Sequence, residues 1–412
     1  MRRARTRRSR FILVAAALLA GSLLPGCGTA GLAAPPPRPD ALSPALAEAA
    51  DRFAIGLLQA VHEERPDQNL FLSPVSAQAV LSLTANGARG ETQREMLAAL
   101  GYGDMDIGAV NEAMRDVWGL TAHPGDKVEL ATAHSIWYHA QFELVPAFRQ
   151  VAAEQYGAEL FGTVFGRPEA AREINRWVAR RTRDRIPGLI DRTFPDQRMV
   201  LVNALYFRGE WQEPFDPGAT KPGPFHRMDG GTAQVPFMHR TGTFGYLAEE
   251  GLVGVRLPYG KGDLALYAFM PEEWDGFVEG LTPERLRGWM DAMAETRIRL
   301  AFPKVRLEDR HELKDPLTAL GMGRAFDPDR ADFSGLLVTP EPLYIDQVIQ
   351  KTFLEIHEEG TEAAAATAVT MRAGSAPPSA LPEVVLDRPF LLAIRDDRAG
   401  LTLFMGLILD PS

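Results

Sequence analysis

Cysteine is all but missing from this 412-residue chain: Cys27 stands alone. One thiol cannot close an internal disulfide, so the fold must be held by burial rather than by covalent staples. Nor can one thiol build a thiolate zinc site. The eight histidines are scattered, with His134 and His139 five apart, so neither a metal nor another cofactor is expected. No G-x-S-x-G elbow, Walker loop or H-E-x-x-H occurs, and no nucleophile and base are set at a recognisable spacing, so the chain does not read as an enzyme. An unrelated exported enzyme remains as the weakest alternative. Basic residues are in deficit as well. The formal charge is −10, and removing residues 1–26, with their six arginines and no acid, leaves 38 basic against 54 acidic residues, or −16. Such a balance excludes a nucleic-acid partner, which needs a basic footprint. The longest N-terminal apolar run, Phe11 to Leu24, has 14 residues and is too short to span a bilayer.

That run does fit the core of a signal peptide, since it follows an arginine-rich head. It ends in Leu24-Pro25-Gly26-Cys27, which resembles the lipobox of bacterial lipoproteins, where the cysteine is lipidated and becomes the new N-terminus. Residues 1–26 are therefore expected to be a lipoprotein signal peptide, with Cys27 carrying a membrane anchor. An ordinary cleaved signal with an accidental cysteine is the alternative, and both readings export the chain, either to the cell envelope or surface or into the medium. Residues 27–44, rich in Gly, Ala and Pro and including Pro35-Pro36-Pro37, read as a flexible, semi-extended tether.

From about residue 45 to 412 there is no fixed-period repeat and no second linker, so one large domain is expected. Leu46, Ala50, Phe53, Leu57 and Ala60 recur three or four apart and predict a helix. Ser73-Pro74 opens an apolar run suited to a buried helix with proline in its first turn. Strands are predicted at Met199 to Phe207, apolar on both faces, and at Leu264 to Met270. Arg297 to Phe302 alternates as a half-buried strand, and Phe390 to Ile394 and Leu401 to Leu409 form a terminal hairpin. The mixture defines an α+β fold. Trp137, Trp177 and Trp211 sit in apolar surroundings and read as core, and Lys261-Gly262-Asp263 reads as a turn.

One stretch fits none of these elements. Glu358-Glu359-Gly360-Thr361-Glu362 leads into nine uncharged, mostly small residues, Ala363 to Met371. A solvated alanine-rich helix is one reading, because Glu and Ala are good helix formers. As a strand, the same residues would put Thr361, Ala363, Ala365, Thr367, Val369 and Met371 on one face and Glu362, Ala364, Ala366, Ala368, Thr370 and Arg372 on the other. The first face is small or apolar throughout, as a strand with one side on a core requires.

Five segments, taken in order, resemble the serpin family of serine protease inhibitors: "NLFLSPVS" from Asn69, "LVNALYFRGEW" from Leu201, "PFMHRTGTFGY" from Pro236, "FPKVRLE" from Phe302, and "RPFLLAIRD" with "LTLFMGLILDP" from Arg388 to Pro411. The resemblance implies a serpin fold of three β-sheets and eight to nine α-helices, with an exposed reactive-centre loop at about residues 358–382. It implies a monomeric suicide inhibitor whose partner is a serine protease, with the loop entering the main sheet after cleavage. Glu358, Glu359, Gly360, Thr361, Glu362, Ala363, Ala364, Ala365, Ala366 and Thr367 match the hinge. Counting from Gly360 places the reactive bond at Gly374-Ser375, whereas counting back from Arg388-Pro389-Phe390 places it at Pro378-Ser379. Arg372 would suit a trypsin-like protease, and Met371, Ala373 or Gly374 an elastase- or subtilisin-like one. Ser73, Ser76 and Asn203 match the polar cluster that gates the sheet, and Trp211 matches the tryptophan near the first point of insertion. Where the family usually completes the cluster with histidine, this chain has Gln350. A non-inhibitory member, acting as a binding or chaperone-like module, is the alternative, although such members tend to carry bulky or charged hinges.

Overall fold

The helices arise where capping and apolar spacing agree. In the computed structural model, which describes residues 33–361 and 381–412, α1 (Pro44–Glu64) starts with Pro44 in its first turn and Ser43 Oγ accepting from the Leu46 amide. α2 (Pro74–Gly87) likewise has proline first, and every residue but Asn86 is buried. α3 (Gly90–Ala99), α4 (Ile107–Ala122) and α5 (Pro146–Gln155) follow. α6 (Pro168–Arg181) turns Ala171, Ile174, Trp177 and Val178 inward, and its arginines outward. α7 (Pro283–Asp291) and the single turn α8 (Lys314–Leu317) complete eight α-helices among the described residues.

Strands are numbered in chain order. A nine-stranded sheet holds β1 (Leu70–Leu72), β6 (Lys221–His226), β7 (Thr232–Glu249), β8 (Leu252–Tyr259), β9 (Leu264–Pro271), β10 (Ala294–Pro303), β15 (Glu383–Val385), β16 (Phe390–Asp396) and β17 (Leu401–Ile408). A six-stranded sheet holds β2 (Val128–His139), β4 (Glu159–Thr163), β5 (Met199–Glu210), β11 (Val305–Glu312), β13 (Gln347–His357) and β14 (Gly360–Thr361), in the order β11-β13-β14-β5-β2-β4. β3 (Glu143–Leu144) and β12 (Leu337–Val338) form a third, two-stranded sheet. The α+β class and the three sheets are as expected, and each predicted helix and strand falls on one of these elements, with Leu409 alone just past the end of β17. All of them belong to the compact unit Leu32–Ser412.

The six-stranded sheet is covered on both sides, and β5 shows this by parity. Val200, Val202 and Ala204 join Trp137, Ile174, Trp177, Val178 and Ile349 in a layer beneath α6. Leu201, Leu205 and Phe207 face the main core on the other side. The near-continuous apolar run of this strand follows from having no wet face. Trp137 and Trp177 meet edge to face in the α6 layer, whereas Trp211 belongs to the main core. The end of the proline-rich segment lies along the fold: Arg38 binds Asp396 at 2.6 Å and the His123 carbonyl at 2.8 Å, and Leu42 is buried. Among the described residues, no helix is long and apolar enough to cross a membrane.

Candidate functional site

β13 and β5 run parallel and pair directly from Gln347↔Val200 to Phe353↔Tyr206. Above that point a third segment separates them. β14 pairs antiparallel with both, Ile356↔Thr361 on one side and Gly360↔Glu210 with Thr361↔Gly209 on the other. Gly360 and Thr361 thus already lie in the sheet of the uncut chain, although sequence reasoning placed both in a loop that leaves solvent only after cleavage. Gly360 makes this possible: its φ is 154°, and a Cβ there would lie 2.0 Å from the Gly209 carbonyl oxygen.

Thr361 is fully buried, and its Oγ1 meets the Tyr259 hydroxyl at 2.7 Å. Tyr259 stacks on Trp211 with ring centroids 4.5 Å apart. Trp211 holds the chain just before the hinge, its indole N–H donating to the His357 carbonyl at 2.9 Å and its amide to the Glu359 carbonyl at 2.9 Å. The Phe215 amide donates to the Glu358 carbonyl at 2.7 Å. The Glu358 carboxylate accepts from Thr220 Oγ1 at 2.7 Å and from Lys304 Nζ at 2.9 Å. Burial pushes this carboxyl up, but the hydrogen bonds from Lys304 and Thr220 outweigh it and hold it below the usual range. Glu358 therefore clamps the base of the loop as a carboxylate.

Lower in the same seam lies the polar cluster. Gln350 and Asn203 face each other across β13 and β5 in register, and Gln350 Nε2 donates to Asn203 Oδ1 at 2.8 Å. Gln350 also brackets the Ser73 backbone: its Oε1 accepts from the Ser73 amide at 2.9 Å, and its Nε2 donates to the Ser73 carbonyl at 2.9 Å. Ser73 Oγ donates to the Leu403 carbonyl at 2.7 Å. Asn203 Nδ2 donates to the Ser76 carbonyl at 2.9 Å and to Ser76 Oγ. Ser73, Ser76, Asn203 and Gln350 are thus gathered at one place, and Trp211 stands at the top of the same seam. Glu362 to Thr367, Met371 to Ser375 and the rest of residues 362–380 lie outside the described residues.

Sequence reasoning missed several members of the site. His134, passed over when metal spacing was sought, is opposite Asn203 on β2 and 3.0 Å from its Nδ2 through Nδ1. On the far side His311 of β11 is in register with Gln350, so one polar row crosses four adjacent strands. Tyr259, Lys304 and Thr220 were also unmarked. Their partners lie 102, 54 and 138 residues away in the chain, where spacing carries no signal. Among the described residues, no three His, Cys, Asp or Glu side chains converge as a metal site.

This seam, with a two-residue strand wedged between two parallel ones, belongs to a chain with clear relatives. The model of the family described as "Serpin (serine protease inhibitor)" matches residues 48–411. Plasminogen activator inhibitor 1 of Neovison vison is 33% identical over 377 residues, covering 89% of this chain and 93% of that protein. An uncharacterised serpin-like protein of Thermococcus kodakarensis is 34% identical over 350 residues, covering 84% and 81% respectively. Among solved structures, the thermophilic serpin tengpin in its native state superposes with a TM-score of 0.83 at 30% identity, covering 90% of this chain and 95% of tengpin. Human thyroxine-binding globulin in complex with thyroxine gives a TM-score of 0.82 at 27% identity, covering 89% and 98%. The chain belongs to the serpin family, whose members are generally serine protease inhibitors.

Proposed function

We propose that this serpin is an exported, lipid-anchored suicide inhibitor of serine proteases. The observation that carries the reading is β14, already antiparallel between two strands that are otherwise parallel neighbours. A protease serine attacks the carbonyl of the reactive bond, Gly374-Ser375 by the hinge count, and the amine of Ser375 leaves. The acyl-linked loop then continues downward from Thr361. Fourteen residues, Thr361 to Gly374, laid out as a strand span about 48 Å at 3.4 Å per residue, enough to carry the tethered enzyme along the length of the sheet. Each parallel β13–β5 rung is replaced by rungs to both neighbours, at about 0.5–1.5 kcal/mol net per added bond. The uncut fold is then a kinetic trap. Serpin loop insertion is the standard example of stored strain released in this way.

Continuing the register of β14 gives each side chain a destination in this mechanism. Thr361 faces Ile356 and Gly209, so extending both ladders puts Thr367 opposite Gln350 and Asn203 together. Its hydroxyl takes the place of the bond that insertion breaks.

Export rests on residues 1–26, and anchoring on Cys27. The test is to incubate the purified chain with trypsin-, elastase- and subtilisin-type proteases and run denaturing gels. A covalent complex is expected, together with a nicked form that melts well above the intact one. Clean cleavage by the whole panel without a complex would replace this reading with a non-inhibitory binding module.

A further inference from the structure

The cluster that holds the seam closed has a direction that the backbone imposes. Gln350 cannot turn its amide over, because the Ser73 N–H demands an acceptor and the Ser73 carbonyl demands a donor. Its Nε2 therefore faces Asn203 as a donor, and Asn203 must answer with Oδ1. That leaves Asn203 Nδ2, a donor only, with two N–H groups shared among three neighbours: the Ser76 carbonyl at 2.9 Å, Ser76 Oγ, and His134 Nδ1 at 3.0 Å, which itself lies 3.5 Å from Ser76 Oγ. A proton on Nδ1 would point at that donor. The ring nitrogen must then be bare, with the ring proton on Nε2.

From this chain of donors and acceptors we infer that His134 is a positioning residue of the gate. As an acceptor on β2 it supports the Asn203 amide in the orientation that Ser73 and Gln350 require, and so strengthens the Gln350–Asn203 bond across the seam. The imidazole that the loop-side strand lacks at Gln350 is in effect supplied from the opposite flank. The inference rests on the insertion reading above for its functional consequence, but not for its geometry.

His134 is half-buried in mostly apolar surroundings. It faces Val75, Ser76 and Ala79 of α2, Met114, Val117, Trp118 and Thr121 of α4, Thr132 of its own strand and Tyr156, around a cavity of about 20 Å³. None of these carries a charge that could compensate an imidazolium, and Tyr156 stays neutral because burial raises its phenol well above the ordinary value. Burial likewise brings His134 down to about 4. The Ser76 carbonyl also accepts from Asn203, but Ser76 Oγ can act either way, so without His134 a flipped Asn203 loses one obligate objection. A flipped amide sets Nδ2 against Gln350 Nε2, donor against donor, and the seam bond is gone.

Two measurements on the full folded chain test this. With ¹⁵N-labelled histidine, His134 is expected as a neutral ring protonated at Nε2, unchanged from pH 8 to 5. A proton on Nδ1, or titration near pH 6.5, overturns the inference, and this holds even if the loop never inserts. The second follows uptake of a fluorescent peptide copying residues 361–372 into the uncut protein. His134→Leu should take up the peptide about fivefold faster, the effect of one lost hydrogen bond. His134→Asn, whose Oδ1 can still accept, should stay within about twofold of the natural chain. A Leu variant no faster than the natural chain, or an Asn variant as fast as Leu, sinks the idea. If Leu does not fold, the tautomer decides. If the natural chain takes up no peptide at all, it is the insertion mechanism that fails.

Discussion

Thr361→Arg puts the proposed mechanism under the most direct load. The threonine side chain sits at zero exposure beside Tyr259, itself buried and stacked on Trp211. Among the described hinge residues, the Glu358 carboxylate is already engaged by Lys304 and Thr220. Burying an uncompensated charge costs several kcal/mol, and the Tyr259 hydroxyl loses its partner at a further 1–3 kcal/mol. In the uncut chain the arginine should drive Gly360 and Thr361 out of the sheet, so that re-entry carries this cost, and even about 4 kcal/mol slows it nearly a thousandfold. Acyl-enzyme hydrolysis then wins, and the variant should be cut as a substrate, with the covalent band replaced by cleaved chain and active protease on a denaturing gel. A gentler pair dissects the contact. Thr361→Val should destabilise the hinge by about 1–3 kcal/mol because it orphans the tyrosine hydroxyl, while Thr361→Val with Tyr259→Phe should be nearly neutral, since both partners are removed. If Thr361→Arg gave as much complex, as fast, as the natural chain, then entry of the hinge would not be the controlling step and the mechanism argued above would be wrong.

Other outcomes follow from the same geometry. Thr367→Val should leave the uncut protein's stability unchanged and lower that of the cleaved form by about 1 kcal/mol, read as a drop in melting temperature of the nicked chain alone. Glu312 is pushed up to about 7, chiefly by burial, and its Oε1 has no hydrogen-bond partner. Because the folded value exceeds the ordinary 4.5, its contribution to stability is present at low pH and is lost as pH rises through about 7. Glu312→Gln, a mimic of the protonated form, should therefore raise the unfolding temperature by about 2 °C at pH 8 and leave it nearly unchanged at pH 5. Cys27→Ser should abolish labelling by a radioactive fatty acid and release the chain from membranes; unaltered labelling would point to another anchor.

The elements were legible before any coordinates because their signals are local. Proline and serine start α1 and α2, alternation marks β10, and a run with no polar side marks β5 as covered twice. The small, alternating face of residues 361–371 was equally plain, since side-chain parity in a strand is a property of the sequence. Ser73, Ser76, Asn203 and Gln350 were found only through likeness to a family. What the sequence could not carry was which polar atoms meet. Gln350 reaches Asn203 across 147 positions, Thr361 reaches Tyr259 across 102, and His134 reaches Asn203 across 69. Hydrogen bonds are decided within a few tenths of an ångström, while separation along the chain says nothing about distance once strands from different regions share a sheet. Likewise, that Gly360 and Thr361 pair between β13 and β5 is set by the register of those strands and by the room Gly360 leaves at Gly209, which only the assembled sheet defines.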